Sequence, residues 1–407
     1  MTIYCYMASS ENLCFFKNTV RTDAKIIMCD DLESIPMNST VILCKICKEC
    51  AKIDEKLRAK HVNIIKLDVV MAELQSRIWK IYCLHEKYYL SNALADACHP
   101  TTSTLLLGSS YAKYGLSTSV MGNGCVNLGL DAQDVYYTCE LGSEVIRKND
   151  NIHTVIIASG YYWFFTDISR STSDYAKGLI AHTYYPVLGK RHHASDVICT
   201  SQESILESNL DFFDESKLIQ EMCNEFYRTM KESGKVTRSF VRQGNGEWQV
   251  RTRFLLPGEQ SIPEGEFVWS QLADDAKAFR AKFRCDNHNA LLAHKETYAE
   301  NIKLLDEFSV LCQQHGVRLY ILAMPMTVWY SKYLNTSFEP LYYEALSKLS
   351  GKFRFLNMSS LCPFDDSKFI DQDHLNSEAA SYLTDTLKDI ISADNSYNLM
   401  DGNIFIK

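Results

Sequence analysis

The sequence predicts an α/β protein built on parallel strands, with a small N-terminal unit followed by a larger second domain. Three observations carry this expectation. Short β-branched runs alternate with longer helical patterns, the signature of βα units. The alternation occurs twice, once within the first hundred residues and again from Thr102 onward. The length of 407 residues suits two or three domains of about 150 residues each.

In the first series Lys25–Cys29, Val41–Cys44 and Asn63–Leu67 read as strands, and Glu49–Lys60 as the helix joining the last two. Leu74, Ile78, Ile81 and Tyr82 then recur at helical spacing, and His99-Pro100 ends that run. Residues 1–98 are therefore expected to form a small α/β domain ending in a long connecting helix. The second series starts with the strand Thr102–Leu107, continues through Cys125–Leu128, the helix Ala132–Lys148 and the strand Thr154–Ala158, and then pauses. The pause, about residues 166–290, is far longer than ordinary connections of about 4–6 residues and reads as an insertion. Within it, Val241–Gln243, Gly244-Asn245-Gly246 and Trp248–Phe254 look like a hairpin. Alternation resumes with the helix His294–His315, closed by Gly316, and then the strands Arg318–Leu322 and Phe353–Leu356. The helix Ser377–Ser392 completes a domain spanning 99–395, and 396–407 is left as a tail.

A net charge of −8 argues against a broad basic nucleic-acid footprint. Tyr114–Leu130, an uncharged stretch, is broken by four glycines and falls short of the roughly 20 apolar residues of a membrane span. The start, MTIYCYMASSENLCFF, has no basic n-region and reaches Glu11 early, so no secretory signal is expected. Fifteen irregularly spaced cysteines then read as reduced thiols, and a cytoplasmic location is expected.

Dinucleotide, P-loop, zincin and α/β-hydrolase motifs are absent. Two other signals remain. Leu105-Leu106-Leu107-Gly108-Ser109-Ser110 places hydroxyls at a glycine turn between a strand and a helix, where open α/β sheets bind ligands. An N-cap serine is the plainer reading of that segment. Near the other end, Asp371-Gln372-Asp373-His374-Leu375-Asn376 places a carboxylate three residues before an imidazole, a spacing that can fix the tautomer of a general base. A capped loop with a surface histidine is the plainer reading there.

Together these blocks, in this order, resemble the SGNH (GDSL-like) hydrolase superfamily over roughly residues 100–395, omitting the insertion. The resemblance implies a flavodoxin-like three-layer α/β/α domain with Ser110 as nucleophile, His374 as general base and Asp371 as its partner. The GSS spelling is most similar to D-alanyl transfer (DltD-type) proteins and to SGNH enzymes of surface-polysaccharide assembly. Val126-Asn127-Leu128-Gly129-Leu130 resembles the family's second block, so backbone N–H groups of Ser110 and Gly129, or Ala132 in the latter's place, are expected to hold the oxyanion. In the third block, Ser159-Gly160-Tyr161-Tyr162-Trp163, Tyr162 stands where the family has an asparagine donor, so either the phenol or Ser159 supplies that donor or the hole is built otherwise. Asn127, Tyr161 and Trp163 are weaker candidates for substrate contact; aromatic core packing is the plainer reading of the run Tyr161–Phe165.

The implied activity is acyl transfer from an ester or thioester, carried by coenzyme A or a carrier protein, to a sugar or nucleotide-sugar. A carbohydrate esterase and a non-catalytic binding protein are the alternatives. DltD-type relatives are membrane-anchored, and this chain is expected to be a cytosolic counterpart with no nucleic-acid partner. The insertion, with the N-terminal domain, is expected to roof the Ser110 site. No cofactor is implied and no metal is expected. Cys44-x2-Cys47-x2-Cys50 meets Asp54 where a fourth ligand would fall, while His192-His193 and Cys285-x2-His288 lack the residues that complete a set.

Overall fold

The computed structural model describes residues 1–44, 50–80, 82–195, 204–222, 224, 238–242, 248–252, 269–394 and 404–406. It is an α/β protein with two sheets of parallel strands, and the chain divides into two compact units.

The first unit comprises Met1–Tyr89 together with Thr200–Phe226 and Arg251–Glu264. Its sheet contains β1 (Thr2–Tyr6), β2 (Lys25–Cys29), β3 (Thr40–Leu43) and β4 (Asn63–Lys66), all parallel, in the order β2-β1-β3-β4. β1, central in this sheet, is an addition to the sequence reading. Its alternation, with Ile3 and Cys5 buried between more exposed neighbours, is the period of a half-covered strand. Ser9 and Asn12 form a reciprocal capping box that starts the helix Ser10–Thr19. Val41, Leu43, Ile53 and Leu57 pack the core behind β3.

Residues 204–222, expected within the insertion, belong to this unit. Phe213 bridges Val20 and stacks on Phe16, and Arg77 Nη1 donates to Ile205 O at 2.8 Å. The division between units falls at residue 89, not at 98. Leu90, Ala93 and Ala97 are already fully buried, and Asn149 Nδ2 donates to the Ala97 and His99 carbonyls, which ties the end of the helix Tyr82–Ala97 to the second unit.

The second unit carries β5 (Thr104–Gly108), β6 (Cys125–Asn127), β7 (Thr154–Ser159), then β8 (Arg238–Arg242) paired with β9 (Trp248–Thr252) as a separate two-stranded sheet, of which β9 runs past the unit's boundary at Val250. β10 (Arg318–Ala323), β11 (Arg354–Asn357) and β12 (Ile404–Ile406) follow. The turn expected at Gly244–Gly246 lies outside the described residues. The main sheet has the order β12-β11-β10-β7-β5-β6. Its first five strands in sequence are parallel and stand in the order second, first, third, fourth, fifth; β12, from the segment read as a tail, pairs antiparallel with β11. Strand order therefore reverses between β5 and β7, and the crevice beyond their carboxyl ends is where such sheets take ligands. The helix Val135–Lys148 packs on Lys295–Gln314, and Ser110–Gly115 packs on Ser377–Asp394.

A 17-residue helix, Asp274–Ala290, also emerges inside the interval read as irregular. Its covered face is Lys277, Ala281, Cys285 and His288, while Phe279 and Phe283 are exposed, so no apolar stripe marks it in the sequence. Ten cysteines among the described residues are free thiols. Cys47 and the side chain of Cys50 fall outside the description, and the Cys44–Cys50 ligand question with them. No described helix is long and apolar enough to cross a membrane.

Candidate active site

The turn that presents Ser110 is dictated by Gly108. Its φ is 123°, and a Cβ there would lie 2.2 Å from the Ala158 carbonyl oxygen on the adjacent β7. Only glycine permits both the conformation and the approach. Ser109 occupies the N-cap position without a side-chain capping bond, and Ser110 opens the short helix Ser110–Gly115. The N-cap reading of the serines therefore does not account for Ser110.

His374 comes from a loop pinned by a Phe369–Leu375 bridge and by Ile370 N–H donating to His374 O at 3.0 Å. His374 Nε2 lies 2.7 Å from Ser110 Oγ, and its Nδ1 lies 2.9 Å from Asp371 Oδ2 and 3.0 Å from Oδ1. Asp371 Oδ1 also accepts the backbone N–H groups of Asp373 and His374, which fixes the carboxylate in its own loop. The network assigns the proton to Nδ1 and leaves the Nε2 lone pair facing the serine hydroxyl. The structure thus brings Ser110, His374 and Asp371 into one hydrogen-bonded chain.

Behind His374 stands Asp373, fully buried, with Oδ1 3.6 Å from His374 Nδ1. Its Oδ2 accepts Tyr111 Oη–H at 3.1 Å and Arg284 Nε–H at 3.2 Å, and its Oδ1 accepts Gln372 Nε2. Burial raises the Tyr111 phenol well above its ordinary range, so it remains a donor. Sequence reasoning passed over Asp373 and Arg284. They lie 89 residues apart and no spacing links them. Asp371, Asp373 and His374 also hold ligand-type atoms within 4.8 Å of one another, but both Asp373 oxygens are already engaged as above.

The Cys285-x2-His288 pair serves packing. Cys285 Sγ donates to Tyr330 O, while His288 Nδ1 bonds the Tyr330 hydroxyl and its ring stacks on Tyr162. Burial, then the Arg284 charge, pushes His288 down to about 3. The unfolded chain therefore takes up a proton at about pH 6.5 that the fold refuses until about pH 3, and stability is lost as pH falls through that window by up to about 1.4 kcal/mol per unit. His288→Phe keeps a ring on Tyr162 and should flatten this acid limb in urea denaturation at pH 7 and pH 5. An unchanged difference between the two pH values would contradict the assignment.

A cavity of about 1130 Å³ opens over Ser109 and Ser110, with Tyr162, Trp163, Arg284 and His374 among its walls. Both ends of the long interval contribute, through Thr166–Tyr175 and Arg284–His288. Tyr162 directs its hydroxyl to Tyr111 Oη at 3.4 Å, and burial pushes that phenol up to about 12. The indole N–H of Trp163, buried at the wall, has no hydrogen-bond partner among the described residues.

Other expected contacts are redirected. The Gly129 N–H donates to Asn127 Oδ1 at 2.9 Å, so it is not an oxyanion donor; the glycine is needed because a Cβ would meet Ala112 Cβ at 2.8 Å. Asn127 is a brace, its Nδ2 donating to Ala112 O at 2.8 Å. Ser159 is fully buried, with Oγ 2.9 Å from Tyr342 Oη and 3.3 Å from Leu322 O, so it is also unavailable. Tyr161 points to Glu339 and Asn357, away from the cavity lining. Ala132, the alternative to Gly129, does line the cavity, in a left-handed conformation with φ 57° that costs alanine about 1–3 kcal/mol.

In comparisons with known proteins, no family model matches the chain and no curated protein matches it significantly.

Proposed function

We propose that the protein is a serine-dependent acyltransferase of the SGNH type, with a flavodoxin-like three-layer α/β/α catalytic domain. The observation that carries this reading is the chain Ser110 Oγ–His374 Nε2–Asp371 at the point where strand order reverses. His374 takes the Ser110 proton as Oγ attacks an ester or thioester carbonyl. Asp371 stabilises the imidazolium, and backbone N–H groups of Ser110 and Ala132 receive the oxyanion. Collapse expels the alcohol or thiol with the proton held by His374, leaving an acyl-serine. An acceptor hydroxyl then gives its proton to His374 as it attacks the acyl carbonyl, and Ser110 Oγ leaves, taking that proton back from His374.

Transfer is favoured over hydrolysis by the size of the cavity. Sites for one small ligand run to about 300–1,000 Å³, and this one, at about 1130 Å³, lies just above that range, which suits a large donor with an acceptor entering beside it. Of the cations among its walls, Arg170 and Arg284 are held by Asp167 with Glu300 and by Asp373, which leaves Lys295 to meet a phosphate-bearing partner, such as coenzyme A or a nucleotide-sugar acceptor. A cytoplasmic site of action fits that choice of substrates.

The test is partitioning. With acetyl-coenzyme A as donor, added UDP-sugars should divert the acyl group from water and yield acylated sugar as the main product. Free acetate at a rate indifferent to every acceptor would indicate the esterase reading. No Ser110-dependent turnover with thioesters or esters would indicate a binding protein.

A further inference from the structure

A second cluster of chemistry-bearing side chains lies outside the Ser110–His374–Asp371 chain. His192 and His193 stack face to face with centroids 3.9 Å apart, and His192 also stacks on Tyr136 at 3.9 Å. His192 holds a left-handed φ of 51°, a strained conformation that turns the two neighbouring rings to one side. Both rings aim Nε2 at one carboxylate: His192 Nε2 is 3.3 Å from Glu300 Oε1, and His193 Nε2 is 3.0 Å from the same oxygen. The sequence offered the two histidines alone. Glu300, from the helix Lys295–Gln314, completes a set that no spacing reveals.

The two nitrogen–oxygen separations match metal ligation, and a shared ion requires the stacked rings, tilted by only 28°, to turn until both Nε2 lone pairs meet it. With bonds of about 2.0–2.1 Å, two ligands on a tetrahedral zinc stand about 3.3 Å apart. The other nitrogen of His192 is held as metal-bound imidazoles are, Nδ1 lying 3.2 Å from Ser169 Oγ and 3.5 Å from Asp167 Oδ1. Arg170 shares the cluster, with Nε 3.1 Å from Asp167 Oδ2 and Nη2 3.3 Å from His193 Nε2 and 3.5 Å from Glu300 Oε2. One guanidinium charge answers three carboxylates, Glu296 Oε2 lying 3.8 Å from Nη1, and its side chain is 44% exposed and can withdraw toward Glu296.

We propose that His192 Nε2, His193 Nε2 and Glu300 form a three-ligand site for a divalent transition cation, zinc being the best match, with Asp167 orienting His192 and water completing the shell. Binding displaces the Arg170 head group, and the ion's two charges balance Asp167 and Glu300. Asp167 and Arg170 also line the Ser110 cavity, so occupancy alters the charge of that wall. The proposal is independent of the acyl-transfer reading.

The test uses the full chain, dialysed against chelator and titrated with ZnCl₂ by calorimetry and with CoCl₂ by absorption. One equivalent should bind, and the cobalt spectrum should lack thiolate charge-transfer bands. His193→Ala and Glu300→Gln, both at partly exposed positions and checked by circular dichroism, should each abolish that equivalent. Asp167→Asn should weaken it by about 10–100-fold, and Arg170→Gln should tighten it. Absence of a stoichiometric zinc in wild type and in Arg170→Gln would overturn the proposal. So would a site that survives both His193→Ala and Glu300→Gln, or one with thiolate bands, which would place the metal on cysteines.

Discussion

Replacing Ser110 by alanine is expected to lower kcat by roughly 10⁴–10⁶, the size of loss seen when a nucleophile is removed from a serine triad. The fold should survive, because the substitution removes one hydroxyl whose recorded partner is His374 Nε2, at 2.7 Å, a bond worth about 0.5–1.5 kcal/mol. His374→Ala should cost about as much, and the double variant little more, since the two side chains act as one unit. Steady-state hydrolysis of p-nitrophenyl acetate, with urea denaturation run beside it, measures both quantities. A Ser110→Ala protein within tenfold of wild type would remove the serine from the chemistry.

The largest expected effect on stability is at Gly108. Gly108→Ala puts a Cβ 2.2 Å from the Ala158 carbonyl oxygen at a φ of 123°, so β5 and β7 must part or the turn must change. Strain and overpacking together should cost about 2–4 kcal/mol. Gly122 is the control: its φ is 104°, yet a Cβ there meets nothing within 4 Å, so Gly122→Ala carries the backbone strain alone. Urea midpoints should separate the two variants, with Gly108→Ala the less stable and also the less active. Equal losses would show that the close approach to β7 matters little.

What the sequence made legible, and what it hid, follows from whether a feature is local. Asp371 and His374 share one loop and Gly108 to Ser110 one turn, so their chemistry is written in short spacings. The strands of the main sheet were readable because Leu105, Ile156, Ile321 and their neighbours form fully buried runs bounded by turns. The helix Asp274–Ala290 was not, because it covers Lys277, Ala281 and His288 and exposes Phe279 and Phe283. Asp373 with Arg284, and Glu300 with His192, pair across 89 and 108 residues respectively, where no periodicity connects the partners. Gly129 was misread for a different reason: a glycine suits an oxyanion loop and close packing on Ala112 equally well, and only the hydrogen bond to Asn127 tells them apart.

In the proposed mechanism His374 activates Ser110 as a nucleophile. Intact-mass spectrometry after brief exposure to a fluorophosphonate probes it directly, because an activated serine displaces fluoride and retains the phosphonyl group. Wild type should gain a single adduct, mapped by peptide sequencing to Ser110, with Ser110→Ala unlabelled and His374→Ala labelled far more slowly. Labelling that persists in folded Ser110→Ala, or an unlabelled wild type, would contradict it.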